Sequence, residues 1–177
     1  MVADALEGER MIGMTMLRPG WELNYDGTPE VYRIGCAGFI THAERLADGR
    51  YNIMLRGMEK FRILQERTSH EGPQMYRVAR IEAIPETPVQ RGGSALSEVR
   101  KKLEKLIARR LHKSSGDAIP EDVPEEDLVH AIALHLEPLE KQALLECDGL
   151  LARCHRLIEI LEMRMMGVES GGKRRMH

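Results

Sequence analysis

RLADGRYNIMLRGMEKFRIL, residues 45–64, is the stretch on which the reading of the first half of the chain turns. Asp48-Gly49 tolerates positive φ, as a two-residue type I′ hairpin turn requires, and it sits between two apolar-bearing runs. Beyond the turn, Tyr51, Ile53 and Leu55 fall on one face of a strand, with Asn52 and Arg56 on the other. Met54 breaks that alternation, which predicts that the second face is partly covered as well. Gly57 allows a bend or bulge, after which Phe61 and Ile63 resume the period of two. Burying these few side chains cannot offset the conformational entropy lost in ordering the hairpin. The hairpin therefore belongs to a larger closed or covered sheet.

The flanking segments continue the pattern. MVADALE reads as the last turns of a short helix and MIGMTML (11–17) as a strand. RPGWELNYDGTPE (18–30) is a loop rich in Pro, Gly, Asn and Asp. VYRIGCAGFITHAERL (31–46) is a strand in which Gly35 and Gly38 favour a bend or bulge, and QMYRVARIEAI (74–84) is a further strand. Pro85 and Pro88 then end the sheet, since neither can donate a ladder hydrogen bond.

From Ser94 onward the period changes to that of helices. Leu96, Val99, Leu103, Leu106, Ile107 and Leu111 form one stripe, with Arg100, Lys101, Lys105 and Arg109 opposite. A polar loop (113–127) ends in acidic residues suited to a helix amino terminus. Helices are expected over 128–137, over 138–146 with Pro138 in the first turn, and over 149–166. The last of these carries the stripe Leu150, Cys154, Leu157, Ile158, Leu161 and Met165. Residues 167–177 show no apolar periodicity and are expected to form a frayed, disordered tail. Strands followed by helices make the fold class α+β. The expected division is a β subdomain over 1–92 and a helical one over 93–166.

Composition narrows the function classes. The 177 residues are 42% hydrophobic and 31% charged, with a net charge of −2 and a pI of about 6.4. No global positive field draws such a chain to nucleic acid or anionic lipid. No apolar run reaches the roughly 18–20 residues that span a bilayer, and the acidic amino terminus is not a secretory signal. Three cysteines give no disulfide framework and suit a reducing cytoplasm.

Few residues point to chemistry. His130 and His135 are five apart and do not share a helix face as an i, i+4 pair would. Cys147, Cys154 and His155 could be imagined around a metal, but Cys154 occupies an apolar stripe position and no C-x-x-C or H-E-x-x-H pattern supports zinc. Neither metal nor cofactor is expected. The basic run Arg100, Lys101, Lys102, Lys105, Arg109 and Arg110 is interleaved with Glu98 and Glu104 and reads as a solvated face. Trp21 and Tyr25 stand in a polar loop, either folded back over the sheet or offered to a partner. Met11, Met14, Met16, Met54, Met58 and Met75 fall in the sheet half, and any exposed ones would suit varied apolar partners.

Two segments resemble a known family. In RIGCAGFITHAERLADGRYNIMLRGMEKFRIL (33–64), Gly35, Ala37 or Gly38, Asp48, Gly49, Arg50, Tyr51, Gly57, Phe61 and Ile63 stand at positions typical of the Lon protease amino-terminal domain. PLEKQALLECDGLLARCHRLIEIL (138–161) is similar to that domain's carboxy-terminal helices through Lys141, Gln142, Leu144, Leu145, Glu146, Arg153, Leu157 and Leu161. The resemblance covers most of residues 1–166. It implies a PUA-like β-barrel followed by a helical bundle, and recognition of unfolded or tagged polypeptides for handing to a protease or chaperone. A group of bacterial proteins consists of this domain alone. The family's first strand and its aromatic-acidic-proline-arginine-tyrosine element have no counterpart in this chain, so the barrel is expected to be incomplete, with a truncated reading frame the favoured explanation.

The resemblance does not extend to the ATPase and protease portions. There is no G-x-x-x-x-G-K-[ST] phosphate loop, and the serines lie in loops or at helix edges. The expected function is a non-catalytic protein-binding module, with Trp21, Tyr25, Met54 and Arg56 as candidate substrate-binding residues. The competing reading is RNA binding through a PUA-like barrel by Arg33, Arg50, Arg56, Arg62, Arg77 and Arg80. Glu44, Glu59, Glu66 and Glu82 dilute such a surface, so nucleic acid is not the expected partner. The oligomeric state is not legible at this level.

Overall fold

A computed structural model of the chain describes residues 1–24, 27–67, 76–87, 93–111 and 123–172. Tyr25, Met75, Pro88, residues 113–122 of the polar loop and residues 173–177 lie outside this set, as do the side chains of Arg110 and Leu111. The chain separates into two compact units, Met1–Pro85 and Glu86–His177. Within the second unit Glu86 pairs with Arg153, and the Thr87 hydroxyl donates to Asp148 Oδ1 (3.4 Å).

The first unit opens with α1 (Val2–Glu7), followed by β1 (Met11–Met14), a 3₁₀ turn at Trp21–Asn24, β2 (Ile34–Arg45), β3 (Tyr51–Arg67) and β4 (Val78–Ile84). The strands form an antiparallel sheet in the order β1-β2-β3-β4. Pairing of β1 with the chain ahead of β2 continues past Met14 through a bridge between Leu17 and Val31 and hydrogen bonds from Tyr32 N to Met16 O and Arg18 N to Glu30 O, each 2.8 Å. Among the described residues, β1 and β4 are the two ends of the sheet. Ile12, Ile40, Phe61 and Ile63 are its buried apolar side chains.

The turn between β2 and β3 differs from the expected type I′. Gly49 has φ of 86°, but Asp48 is not in the left-handed region, whereas type I′ needs positive φ at both central residues. Gly49 N instead donates to Leu46 O (3.0 Å) and Leu46 N to Arg50 O (2.8 Å). That is a three-residue loop, a type I turn closed by a left-handed glycine in a bulge. The Asp48 carboxylate holds it by accepting from Arg50 N (3.0 Å) and Arg50 Nε (2.7 Å). These bonds, the backbone one first, keep its pKa below the ordinary aspartate value. The glycines mark irregular register, as anticipated: pairing steps from Gly38–Gly57 to Cys36–Lys60, one extra residue on β3.

In the second unit α2 (Ser94–Leu111), α3 (Glu125–Ala133), α4 (Pro138–Leu145) and α5 (Gly149–Gly172) gather around one apolar core. Leu96, Val99, Leu103 and Leu106 of α2 meet Leu150, Cys154, Leu157, Ile158 and Leu161 of α5 there, so most of the two expected stripes is buried; Met165 packs against the core and Ile107 is half-buried. Ile160 joins them although it lies outside the expected stripe. α3 begins three residues earlier than expected, because Glu125, Glu126 and Asp127 form its first turn, where carboxylates favour the helix dipole. It ends at Ala133 rather than Glu137, since Pro138 drives the preceding residue to an extended conformation (Glu137 ψ 154°). Glu137 and Glu140 then form a capping box at α4. α5 extends to Gly172, beyond the Met166 limit set by apolar periodicity; backbone helix can continue for a turn or more without an apolar face once nucleated.

Arg100 does not sit on a solvated basic face. Its side chain is only 13% exposed and donates to Glu104 Oε1 (2.9 Å) and Val123 O (2.5 Å), with Glu125 Oε1 at 3.4 Å. Burial disfavours its charge, but the two carboxylates outweigh that and raise its pKa. Lys102 pairs with Glu162 at 2.9 Å. The basic stripe of α2 therefore serves to hold helices together as well as to meet solvent.

Candidate functional site

Register places Met11 opposite Phe39 and Phe39 opposite Arg56, one row across β1, β2 and β3. Directly opposed residues share a face, so the three side chains emerge together. Met54, two residues from Arg56 and opposite His42, adds the next row on that face. Met11 and Met54 are 47% and 64% exposed. The partial cover that the broken alternation predicts over Met54 is therefore absent among the described residues. The residue stands on the open side of the sheet while Tyr51, Ile53 and Leu55 are half-buried on the other.

Phe39 is the half-buried centre of this surface. The Arg10 and Arg56 guanidinium carbons lie 6.0 and 5.9 Å from its ring centroid, within reach of the attraction between a cation and a π face. Arg10 adopts φ of 59°, a conformation rarely taken by a residue other than glycine. Three hydrogen bonds hold it there: Arg10 N to Ala5 O (2.8 Å), Ile40 N to Arg10 O (2.8 Å) and Arg10 Nε to Ile40 O (3.0 Å). The strained residue fixes one of the two cations that rim the ring.

Two of the four candidate residues, Met54 and Arg56, thus come together. Trp21 belongs to a different element, the 3₁₀ turn, where it is half-buried beside a fully open Leu23 (95% exposed). Tyr25 lies outside the described residues. Phe39, Arg10 and Met11 complete the surface but were not singled out as a group from the sequence. The available signal was Phe39 itself, the one carbocyclic aromatic ring in a strand whose preceding residues 35–38 are all small. What the sequence lacks is the cross-strand register that joins these residues.

The surface offers adaptable thioethers, an aromatic ring and two guanidinium groups. Such a set can accept apolar side chains of varied shape and tolerate acidic neighbours. Elsewhere, Arg50 and Arg77, two members of the alternative RNA-binding set, are engaged by Asp48 and Glu66. Among the described residues no group of three or more His, Cys, Asp or Glu is gathered for a metal. Cys154 is fully buried, which pushes its thiol up to about 11, and Cys147 Sγ lies 3.3 Å from Ala143 O. No described helix is long and apolar enough to cross a membrane.

Comparison with known proteins gives a consistent picture. The family model of the ATP-dependent protease La (LON) substrate-binding domain matches residues 1–163. Lon protease of Dictyoglomus thermophilum is 26% identical over 185 residues, a match covering 92% of this chain and 22% of that protein. The chain thus spans about a fifth of the length of that curated relative. The N-terminal domain of a Mycobacterium avium complex Lon protease superposes with a TM-score of 0.53 at 18% identity, covering 86% of this chain and 89% of that one. A Lon N-terminal domain protein from Xanthomonas campestris gives 0.51 at 16% identity, covering 84% and 88%. At these identities the two structures speak to the fold.

Proposed function

Since the chain belongs to the LON substrate-binding domain family, we propose that it is a non-catalytic module that captures exposed apolar segments of unfolded or tagged polypeptides. The contact surface in this reading is the sheet face of Met11, Phe39, Met54 and Arg56. The observation that carries it is the exposure of Met11 and Met54 in rows adjoining a cation-rimmed aromatic ring. Folded proteins seldom leave such side chains grouped on an open face unless a partner covers them. In the same reading the four strands are the wall of a PUA-like barrel, the helices of the second unit are the family's bundle, and the captured chain is handed to a protease or chaperone. Three free cysteines fit a cytoplasmic setting.

The test compares a protein held permanently unfolded by reduction and carboxymethylation with its folded parent. Wild type should retain the unfolded form and not the folded one. Replacing Met11 and Met54 together by serine removes about 2 kcal/mol of apolar contact, taking about 1 for each partly buried side chain, or roughly thirtyfold in affinity. Equal retention of folded and unfolded protein, or an unchanged affinity in the double variant, would refute the assignment.

A further inference from the structure

A groove of about 570 Å³ opens in the first unit, away from the rows just described. It is lined by Arg18, Glu30, Arg33, Gln65, Glu66 and Arg77 among its polar residues, with Val31, Ile63 and Leu64 supplying apolar surface. Its volume is that of a small-ligand or short-peptide site. Part of its wall is continuous backbone pairing, since Ile63 N donates to Arg33 O at 2.8 Å and Arg18 N to Glu30 O at 2.8 Å. The register of β3 on β4 also slips at Leu64, which places an extra residue of β3 at the groove.

The charges in the groove are unequally satisfied. Arg77 is tied down: it forms a two-pronged pair with Glu66 and donates from Nη1 to Pro29 O at 2.7 Å. Arg18 lies 3.9 Å from Glu30, beyond hydrogen-bonding distance, with both side chains at least half exposed and its guanidinium 5.3 Å from the Tyr32 ring centroid. Arg33 has no carboxylate or hydrogen-bond acceptor for its guanidinium among the described residues. Three arginines against two glutamates leave one positive charge; among the described residues Arg18 is held by the Tyr32 ring and a long approach to Glu30, while Arg33 faces no carboxylate or ring at all.

We propose that this groove binds the carboxylate of an extended peptide, with the Arg33 fork as its anchor. A planar guanidinium matches a carboxylate in two parallel hydrogen bonds. Gln65 and Thr28 offer groups that can bond peptide amides, and Val31 and Leu64 can cover an aliphatic side chain. The single surplus charge fits one carboxylate and is too little for a polyphosphate or a nucleic-acid backbone. The inference deepens the polypeptide-binding reading and rests on it. It adds a second contact, one that would recognise a chain end or an acidic side chain, beside the methionine face that would take apolar segments.

The experiment uses the full chain and three fluorescein-labelled octapeptides of one neutral sequence: with a free α-carboxylate, with an amidated end, and with an amidated end and one internal aspartate. Wild type should bind the first or the third at least tenfold more tightly than the fully neutral peptide, and which of the two wins identifies the source of the carboxylate. Arg33→Met should abolish that preference, and Arg33→Lys, which keeps the charge and loses the fork, should retain only part of it. Intact fluorescence of Trp21, which lies in the same unit, reports that each variant is folded. The Met11→Ser, Met54→Ser protein separates the two readings. It should lose capture of unfolded protein while keeping the carboxylate preference. A wild type that captures unfolded protein but binds all three peptides equally refutes the groove alone. Retention of the full preference by Arg33→Met refutes it too, as does inorganic phosphate displacing the peptide more effectively than acetate.

Discussion

Replacing Gly35 by alanine would place a methyl carbon 2.4 Å from the carbonyl oxygen of Met14 and 2.7 Å from Cζ of Phe61. Both approaches are closer than real side chains make, and one of the two obstacles is backbone in the neighbouring strand. The Phe61 ring could rotate away only by leaving the buried position in which it is 3% exposed, and the Met14 carbonyl only by opening the β1–β2 pairing. Overpacking of this kind costs about 3 kcal/mol where the surroundings cannot yield. Replacing a glycine also restricts the unfolded chain, which returns about 0.5–1 kcal/mol. The expected net loss is about 2 kcal/mol.

The control is Gly57→Ala, in the facing strand. Its added methyl would meet only Cys36 Sγ at 3.7 Å, an ordinary contact, so the variant should be as stable as wild type or slightly more so. Trp21 is the one tryptophan of the sequence and lies in the first unit, so its fluorescence during urea unfolding reports on this sheet. With a urea dependence of about 1.5 kcal/mol per M, the Gly35→Ala midpoint should fall by more than about 1 M while that of Gly57→Ala does not fall. Coincident midpoints for the two variants would show that Phe61 does not cross β2 at Gly35. The pairing of β2 with β3 beyond the Gly57 bulge would then be wrong.

Three further outcomes follow from the structure. Arg100→Ala strands the Glu104 and Glu125 carboxylates and the Val123 carbonyl, and should cost about 2 kcal/mol in the helical unit by circular dichroism melts; a loss below about 0.5 kcal/mol would argue against the network. Asp48 has a folded-state pKa below its unfolded one, so its contribution is complete above the unfolded value and fades as pH falls through the folded value. Asp48→Asn should therefore flatten the acid limb of stability below about pH 4, and identical limbs in the two proteins would contradict the Arg50 contacts. Cys154, with its thiol pushed up to about 11 and no surface exposed, should resist alkylation at pH 8 until the helices unfold, while Cys36 or Cys147 reacts first as followed by peptide mass mapping.

The helical unit was largely legible in the sequence because a helix stripe is a local property. Leu96 to Leu106 and Leu150 to Leu161 recur at the spacing that brings them to one side, whatever they pack against. The ends were read less well where electrostatics or a neighbouring proline moves them: the acidic residues 125–127 entered α3, and Pro138 shortened it. Arg100 was misplaced because its carboxylate partner Glu125 lies 25 residues along the chain, and no local pattern announces such a contact.

For the sheet, the sequence by itself determined the strands, the hairpin at Asp48-Gly49 and the irregularities at Gly38 and Gly57, since alternation and glycine conformational freedom are written residue by residue. It also carried the family through the residues of 33–64 and 138–161. Only the tertiary structure decided which exposed residues act together. Met11, Phe39 and Arg56 are neighbours through strand pairing, and the groove of Arg18, Arg33 and Arg77 joins segments from three parts of the unit. The physical reason is that a bulge or a one-residue shift in register changes which side chains share a face without altering the composition of any strand.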